Sequence, residues 1–268
     1  MSHTDTVQAL VAAARKAGAD AADALLVAGT SLSVQRRLGK IEQLERAEGF
    51  DLGLRVFVGK RQAIVSSTDP APEGFAALAE RAIAMARAVP EDPFAGLPDA
   101  PDGLVAADFD LADSAEPSAE ALIERATAAE EAALAVPGVT NSEGAEAGYS
   151  RYAIALAASN GFAGEYVRTS HSISATALAG QGTAMERDYD YATAVHLSDL
   201  EDAAEIGRRA GDRAVARLNP RRPKTARLPV VFDPRVANSL LGHLSAAING
   251  AAVARGTSFL KNRLGQRV

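Results

Sequence analysis

Apolar and polar residues alternate most cleanly over Phe50-Asp-Leu52-Gly-Leu54-Arg-Val56-Phe-Val58, and a period of two predicts a half-buried strand there. Gly59-Lys60 then makes a tight turn into a partner strand over Gln62–Ser67. Ahead of this hairpin, Val7, Leu10, Val11 and Ala14 recur at helical spacing and predict a helix from Thr4 to Ala17, ended by Gly18. Ala24–Ala28, Leu32–Leu38 and Ile41–Ala47 read as extended. Ser66-Ser67-Thr68-Asp69 reads as a strand end followed by a helix cap. Phe75, Leu78, Ala79, Ala82, Ile83 and Ala86 then predict a second helix, running to about Val89.

The same order returns further on. Pro117 opens a helix carrying Leu122, Ile123, Ala126, Ala129, Ala133 and Leu134 at spacings of three and four. Tyr152, Ile154, Leu156 and Ala158 alternate up to Asn160-Gly161, a strong hairpin signal. Phe162 to Leu178 returns as a long strand on which Val167, Thr169, His171 and Ile173 share a face. A further strand runs from Met185 to Leu197. Ser198-Asp-Leu-Glu201 has the spacing of a capping box before a helix with Ala203, Ile206, Ala210, Val215 and Leu218. Helix, strands, helix therefore occurs twice, an internal duplication at the level of topology. Tight turns between consecutive strands require antiparallel pairing. The fold class is α+β, with largely antiparallel sheets flanked by helices over residues 1–220. Between the repeats, residues 90–116 hold four prolines and eight acids, the composition of a solvated connector or wrapping loop with no clustered polar chemistry.

Past residue 220 the pattern starts again. Pro229–Phe232 reads as a short strand, Asp233-Pro234 as an N-cap and first helical position, and Gly250 as a stop. Val236, Leu240, Leu241, Leu244, Ala247, Ile248 and Ala251 give that helix an apolar face expected to be buried. Here the chain resembles the TldD/PmbA family, once described as modulators of DNA gyrase and understood as a two-subunit metalloprotease. In the catalytic, TldD-type subunit a Leu-Leu pair leads into His-Glu-x-x-x-His, followed by a Gly-Thr-Ser loop. This chain keeps Leu240-Leu241 and Gly256-Thr257-Ser258, but Gly242-His243-Leu244 stands where the ligands would begin. It resembles the PmbA (TldE)-type subunit, over essentially the whole chain.

The resemblance implies that 229–268 begins a second, β-rich domain that continues beyond this chain, as if the sequence were a truncated N-terminal portion. It also implies no catalytic and no metal-ligating residue here, with zinc in a TldD-like partner subunit, a heterodimer, and extended peptide as substrate. The residues agree. A catalytic zinc needs about three protein ligands and an open position, with a glutamate base usually on the same helix. The four histidines are His3, His171, His196 and His243, none is followed by glutamate, and no glutamate occurs after residue 206. His243, at the edge of the apolar face, reads as a hydrogen-bonded structural residue.

Composition narrows the classes further. With 47 % hydrophobic residues over 268 the chain is globular, and 13 aromatics with no Trp leave the core to aliphatic side chains and alanine. Cysteine is absent, which excludes disulfides and thiolate metal sites and fits a reducing, cytoplasmic setting. No apolar run approaches the ~18 residues of a membrane span. Glycine-rich phosphate loops and a G-x-S-x-G nucleophile motif are also missing.

Net charge is −6, but residues 206–268 carry +11 and the remainder −17. The basic run from Arg208 to Arg227 supports an alternative reading as a non-enzymatic DNA- or gyrase-associated modulator. Against it, no aromatic residues are interleaved for base contact, so the segment is expected to be a linker helix paired with acids, those of 90–116 among them. Glu186, Arg187, Asp188 and Tyr189 are the candidate substrate or subunit contact. Alternation puts Arg187 and Tyr189 on one face of their strand and Glu186 and Asp188 on the other, and PmbA-type members carry a similar run.

Overall fold

The computed structural model describes residues 2–99 and 109–267. It divides into two compact units at Pro220/Arg221. The first holds α1 (His3–Lys16), β1 (Ala21–Arg37), β2 (Lys40–Val58), β3 (Arg61–Ser67), α2 (Phe75–Ala88), α3 (Ala119–Leu134), β4 (Val139–Ala158), β5 (Ala163–Ala179), β6 (Glu186–Ala194) and α4 (Ala203–Ala216). All six strands form one antiparallel sheet in the order β3-β2-β1-β4-β5-β6. Each half is helix, three strands, helix, and the halves meet where β1 pairs with β4, so the expected duplication is a mirrored strand order.

The strands are longer than the sequence pattern indicates. Ala24–Ala28 and Leu32–Leu38 fall within the single strand β1, and Ile41–Ala47 and Phe50–Val58 within β2. The sheet does not break between these segments, because an unbroken partner supplies hydrogen bonds on through Gly29 and Gly49, which pair with each other.

Even-numbered β1 residues explain where the core sits. Ala22, Ala24 and Leu26 pack with α1 and α2, Leu32 and Val34 with α3 and α4, and all five share one face. Both helix pairs therefore cover the same side. The first cluster is filled by large side chains, including Leu10, Leu52, Leu54, Phe75 and Ile83. The second is floored by Ala145, Ala147, Ala175, Ala177 and Ala179. A Cβ on Gly207 of α4 would lie 1.9 Å from the Ala129 carbonyl of α3, so these two helices meet backbone to backbone. The bulkier Ile154 and Leu156 of β4 point to the other, open face.

Helix starts follow local chemistry. Ser2 and Asp5 form a reciprocal capping box on α1, and Ser118 caps α3. The Ser198–Glu201 box does not form: Leu197–Asp199 is a short 3-10 turn, and Asp202 caps α4 by accepting the Glu205 N–H at 3.0 Å. Of the 90–116 connector, 100–108 lies outside the described residues. No helix among the described residues is long and apolar enough to cross a membrane.

In the second unit Asp233 caps α5 (Pro234–Ile248), with Pro234 at its first turn as expected. Asn249, and not Gly250, ends it, and its side chain then caps the short α6 (Gly250–Ala254). Pro229–Phe232 forms no strand, having no ladder partner among the described residues. The apolar stripe of α5 is exposed at Val236, Leu240, Leu241, Leu244 and Ile248, and only Ala247 is buried. A helical period establishes a stripe; burying it takes a second surface.

Candidate functional site

The four predicted contact residues lie together on β6, an edge strand whose outer side carries no ladder partner among the described residues. They divide by face as alternation requires. Arg187 and Tyr189 stand on the open face, where the Arg187 guanidinium meets Glu143 at 2.7 Å and the Tyr189 ring stacks on Tyr191 at 6.2 Å between centroids. Both tyrosines are about half exposed. Glu186 and Asp188 face α4 on the other side.

There they join an ion-pair lattice. Asp190 accepts from Arg209 Nε at 2.6 Å on one oxygen and from Arg213 on the other. Arg217 reaches Asp188 Oδ2 at 3.3 Å and Glu186 Oε2 at 3.7 Å, while Arg209 also holds Glu201 at 2.6 Å. Burial alone would raise the Asp190 carboxyl, but the two arginine hydrogen bonds outweigh it and hold the group below the usual carboxylate range. The basic helix is thus paired with acids as expected. Its partners are the neighbouring strand and turn, because a stagger of four places Arg209, Arg213 and Arg217 on one helix face above alternate β6 residues. No described residue of 90–116 takes part, and α4 is a core helix, with Ile206, Ala210 and Ala214 fully buried, not a linker.

The connector does carry clustered chemistry, contrary to expectation. Asp113 Oδ2 lies 3.1 Å from His171 Nε2 and accepts the Leu197 N–H at 2.7 Å; Oδ1 accepts the Ala115 N–H at 2.9 Å. His171 is fully buried against Tyr149, ring centroids 5.0 Å apart. Its Nδ1 has no partner among the described residues. His196 sits 3.2 Å from Asp110. Backbone N–H donors from Leu197 and Ala115, above all, hold the Asp113 carboxyl low. One signal for this cluster was legible: a histidine on the apolar face of a strand, between Thr169 and Ile173, must find a polar partner.

On α5 the donor set does not fit a catalytic zinc. The helix offers His243 and no carboxylate beyond Asp233, whose side chain accepts the Arg235 N–H at the N-cap. His243 is exposed, and among the described residues no hydrogen bond reaches it, so it is not the hydrogen-bonded structural histidine expected. The Gly256-Thr257-Ser258 loop folds back on these helices: Gly256 takes a φ of +72°, Thr257 N–H donates to Ala252 O at 3.0 Å, and the buried Ser258 hydroxyl to Ala247 O at 2.6 Å.

Three family models match the chain in order: PmbA/TldA metallopeptidase domain 1 over residues 22–86, the central domain over 112–218 and the C-terminal domain over 225–268. The first two divide the chain at the connector between the two halves of the sheet. Metalloprotease PmbA of Escherichia coli O157:H7 is 36 % identical over 93 % of this chain and 56 % of that protein. A PmbA homolog of Haemophilus influenzae is 31 % identical over 95 % and 57 %. The chain thus spans somewhat over half the length of the curated relatives it matches. Among solved structures, a putative modulator of DNA gyrase from Bacteroides thetaiotaomicron superposes with a TM-score of 0.89 at 26 % identity, covering 98 % of this chain and 61 % of that one. TldE from Thermococcus kodakarensis, at 17 % identity, shares the fold with a TM-score of 0.75 over 96 % and 58 %.

Proposed function

The chain belongs to the PmbA/TldD family of metallopeptidases, and from that membership we propose that it is the TldE-type, non-catalytic subunit of a two-chain peptidase working in the cytoplasm. A TldD-like partner brings the zinc, and the substrate is an unfolded peptide in extended form. The observation that carries this reading is the donor set of α5: one exposed histidine, no carboxylate past the N-cap and no glutamate base. The helix and its Gly-Thr-Ser loop keep the frame of a catalytic segment without its ligands.

In this reading β6 is where peptide or partner meets the chain. Glu186 and Asp188 tie the strand to α4, which sets Arg187, paired with Glu143, and Tyr189, stacked on Tyr191, on the open face. At the edge the Tyr189 N–H and C=O are met by Asp188 and Arg213, and the strand has no ladder partner there among the described residues. An edge offers N–H and C=O groups at a fixed spacing whatever the incoming side chains, which suits a substrate class defined by being unfolded. The DNA- or gyrase-associated alternative has less support, since Arg208, Arg209, Arg213 and Arg217 of the 208–227 segment are already engaged by carboxylates. Binding to DNA that weakens steeply with salt would favour that alternative.

The test is zinc analysis and peptidase assay of the chain alone and with a TldD-like subunit bearing His-Glu-x-x-x-His. Zinc is expected in the partner only, and hydrolysis of an unfolded peptide only when both are present. His243→Ala leaves the zinc content unchanged. Stoichiometric zinc on this chain alone, lost in His243→Ala together with peptidase activity, overturns the proposal.

A further inference from the structure

Pairing of β6 with β5 stops at Ala194 and His171. The next inward-facing amide of β5, Thr169 N–H, is taken up by a different piece of chain: it donates to Leu111 O at 2.9 Å. The Thr169 hydroxyl accepts the Asp113 N–H at 2.7 Å and donates to Val195 O at 2.9 Å. Residues 110–115 thus cross the corner where β6 leaves β5, and the Asp113 carboxylate closes the crossing with its bonds to Leu197, Ala115 and His171.

The contact between His171 and Asp113 ties this arrangement to the protonation state of the ring. With Nε2–H donating to Asp113, Nδ1 is a bare lone pair, fully buried and without a partner among the described residues. A proton placed there makes a buried N–H donor with no acceptor. The charged and titratable groups around the ring are Asp113 of the crossing segment, His196 beyond β6, Tyr149 of β4 and Arg125 of α3. We propose that Asp110–Ala115 is a latch over the β5–β6 corner that acid releases, by uptake of a solvent proton on His171 Nδ1. Release exposes the ring to water and frees the Thr169 N–H on the sheet edge, adding a backbone donor for an incoming strand.

The direction of the effect follows from the surroundings. Burial depresses the His171 pKa; Asp113 opposes this, Arg125 and His196 reinforce it, and the balance stays below the ordinary histidine value. A depressed histidine leaves the latch whole above that ordinary value and weakens it as pH falls below it. His196 lies 3.2 Å from Asp110 of the same crossing. The two histidines must therefore be separated experimentally.

Hydrogen exchange of the full chain, corrected for intrinsic rates, reads the latch through the Thr169 and Leu197 amides. From about pH 7.5 to about pH 5.5 their protection is expected to fall in wild type, by no more than about tenfold, the ceiling that the ordinary histidine value sets over that range. The fall persists in His196→Gln and disappears in His171→Gln, whose side-chain amide still donates to Asp113 but takes up no proton. Since His171→Gln places a new group in a buried site, the wild-type ring is also followed by NMR, and it must titrate in step with loss of Leu197 protection. Protection that does not change with pH in wild type overturns the latch, as does a pH effect that survives in His171→Gln or a His171 ring that titrates while Leu197 stays protected.

Discussion

The half built on α1 and α2 and the half built on α3 and α4 share one plan, yet they close over the sheet by different means. The first fills the space between helices and strands with leucine, phenylalanine and isoleucine. The second brings α3 and α4 together at Gly207 and Gly211 over an alanine floor, and holds buried titratable groups around it: Glu130, His171, Asp188 and Asp190. The difference shows how a duplicated scaffold can divide its tasks. One half can be stabilised by apolar volume alone, while the other places carboxylates and histidine where a neighbouring group must answer each of them.

The sharpest way to break the comparison is to exchange the two packing styles. Gly207→Ala puts a methyl group 1.9 Å from the Ala129 carbonyl oxygen, where backbone has to move. It is expected to destabilise by more than about 3 kcal/mol in denaturant unfolding. Leu54→Ala, fully buried in the other half, fails in the opposite sense, by leaving a cavity, at about 3 kcal/mol. Should Gly207→Ala prove neutral, the close approach of α3 and α4 is wrong.

Next in size is the charge lattice. Asp190→Asn leaves Arg209 and Arg213 without their shared carboxylate and is expected to cost about 2 kcal/mol near neutral pH, less than a fully buried pair because both arginines are about a third exposed. Since Asp190 is held below the usual carboxylate range, its contribution is complete above that range and is lost as pH falls through the lowered value. The gap between wild type and variant should therefore stay constant down to about pH 5 and close below about pH 4. A gap that widens in acid would remove Asp190 as the cause.

The smallest effect tests how far the halves depend on each other. Glu130, on α3, accepts the N–H groups of Leu38 and Gly39 at 2.6 and 3.1 Å and lies 3.4 Å from Arg36, so a second-half helix holds the β1–β2 turn of the first half. Leu38 has a positive φ of 47°, a conformation that gains from such a fixed acceptor. Glu130→Gln is expected to cost about 1–2 kcal/mol and to speed exchange at the Leu38 and Gly39 amides selectively. Uniform exchange across the sheet would mean that the turn does not rely on α3.

Much of this was legible in the sequence. Helical spacing located α1 to α5, Gly59-Lys60 and Asn160-Gly161 located the β2–β3 and β4–β5 hairpins, and alternation assigned Arg187 and Tyr189 to one face of β6 and Glu186 and Asp188 to the other. These are local properties, fixed by the geometry of a few consecutive residues. That α5 carries His243 and no carboxylate past Asp233 is likewise read directly from its own residues. What tertiary structure alone decided is which groups meet across long separations. Arg213 faces Asp190 because a strand and a helix pack with matching repeats, and Asp113 reaches His171 across 58 positions of chain. The length of β1 and β2 was decided there too, because a strand continues through a glycine as long as its neighbour keeps offering hydrogen bonds. The apolar stripe of α5 marks the boundary between the two: its period is written in the residues, but burial is a property of a pair of surfaces.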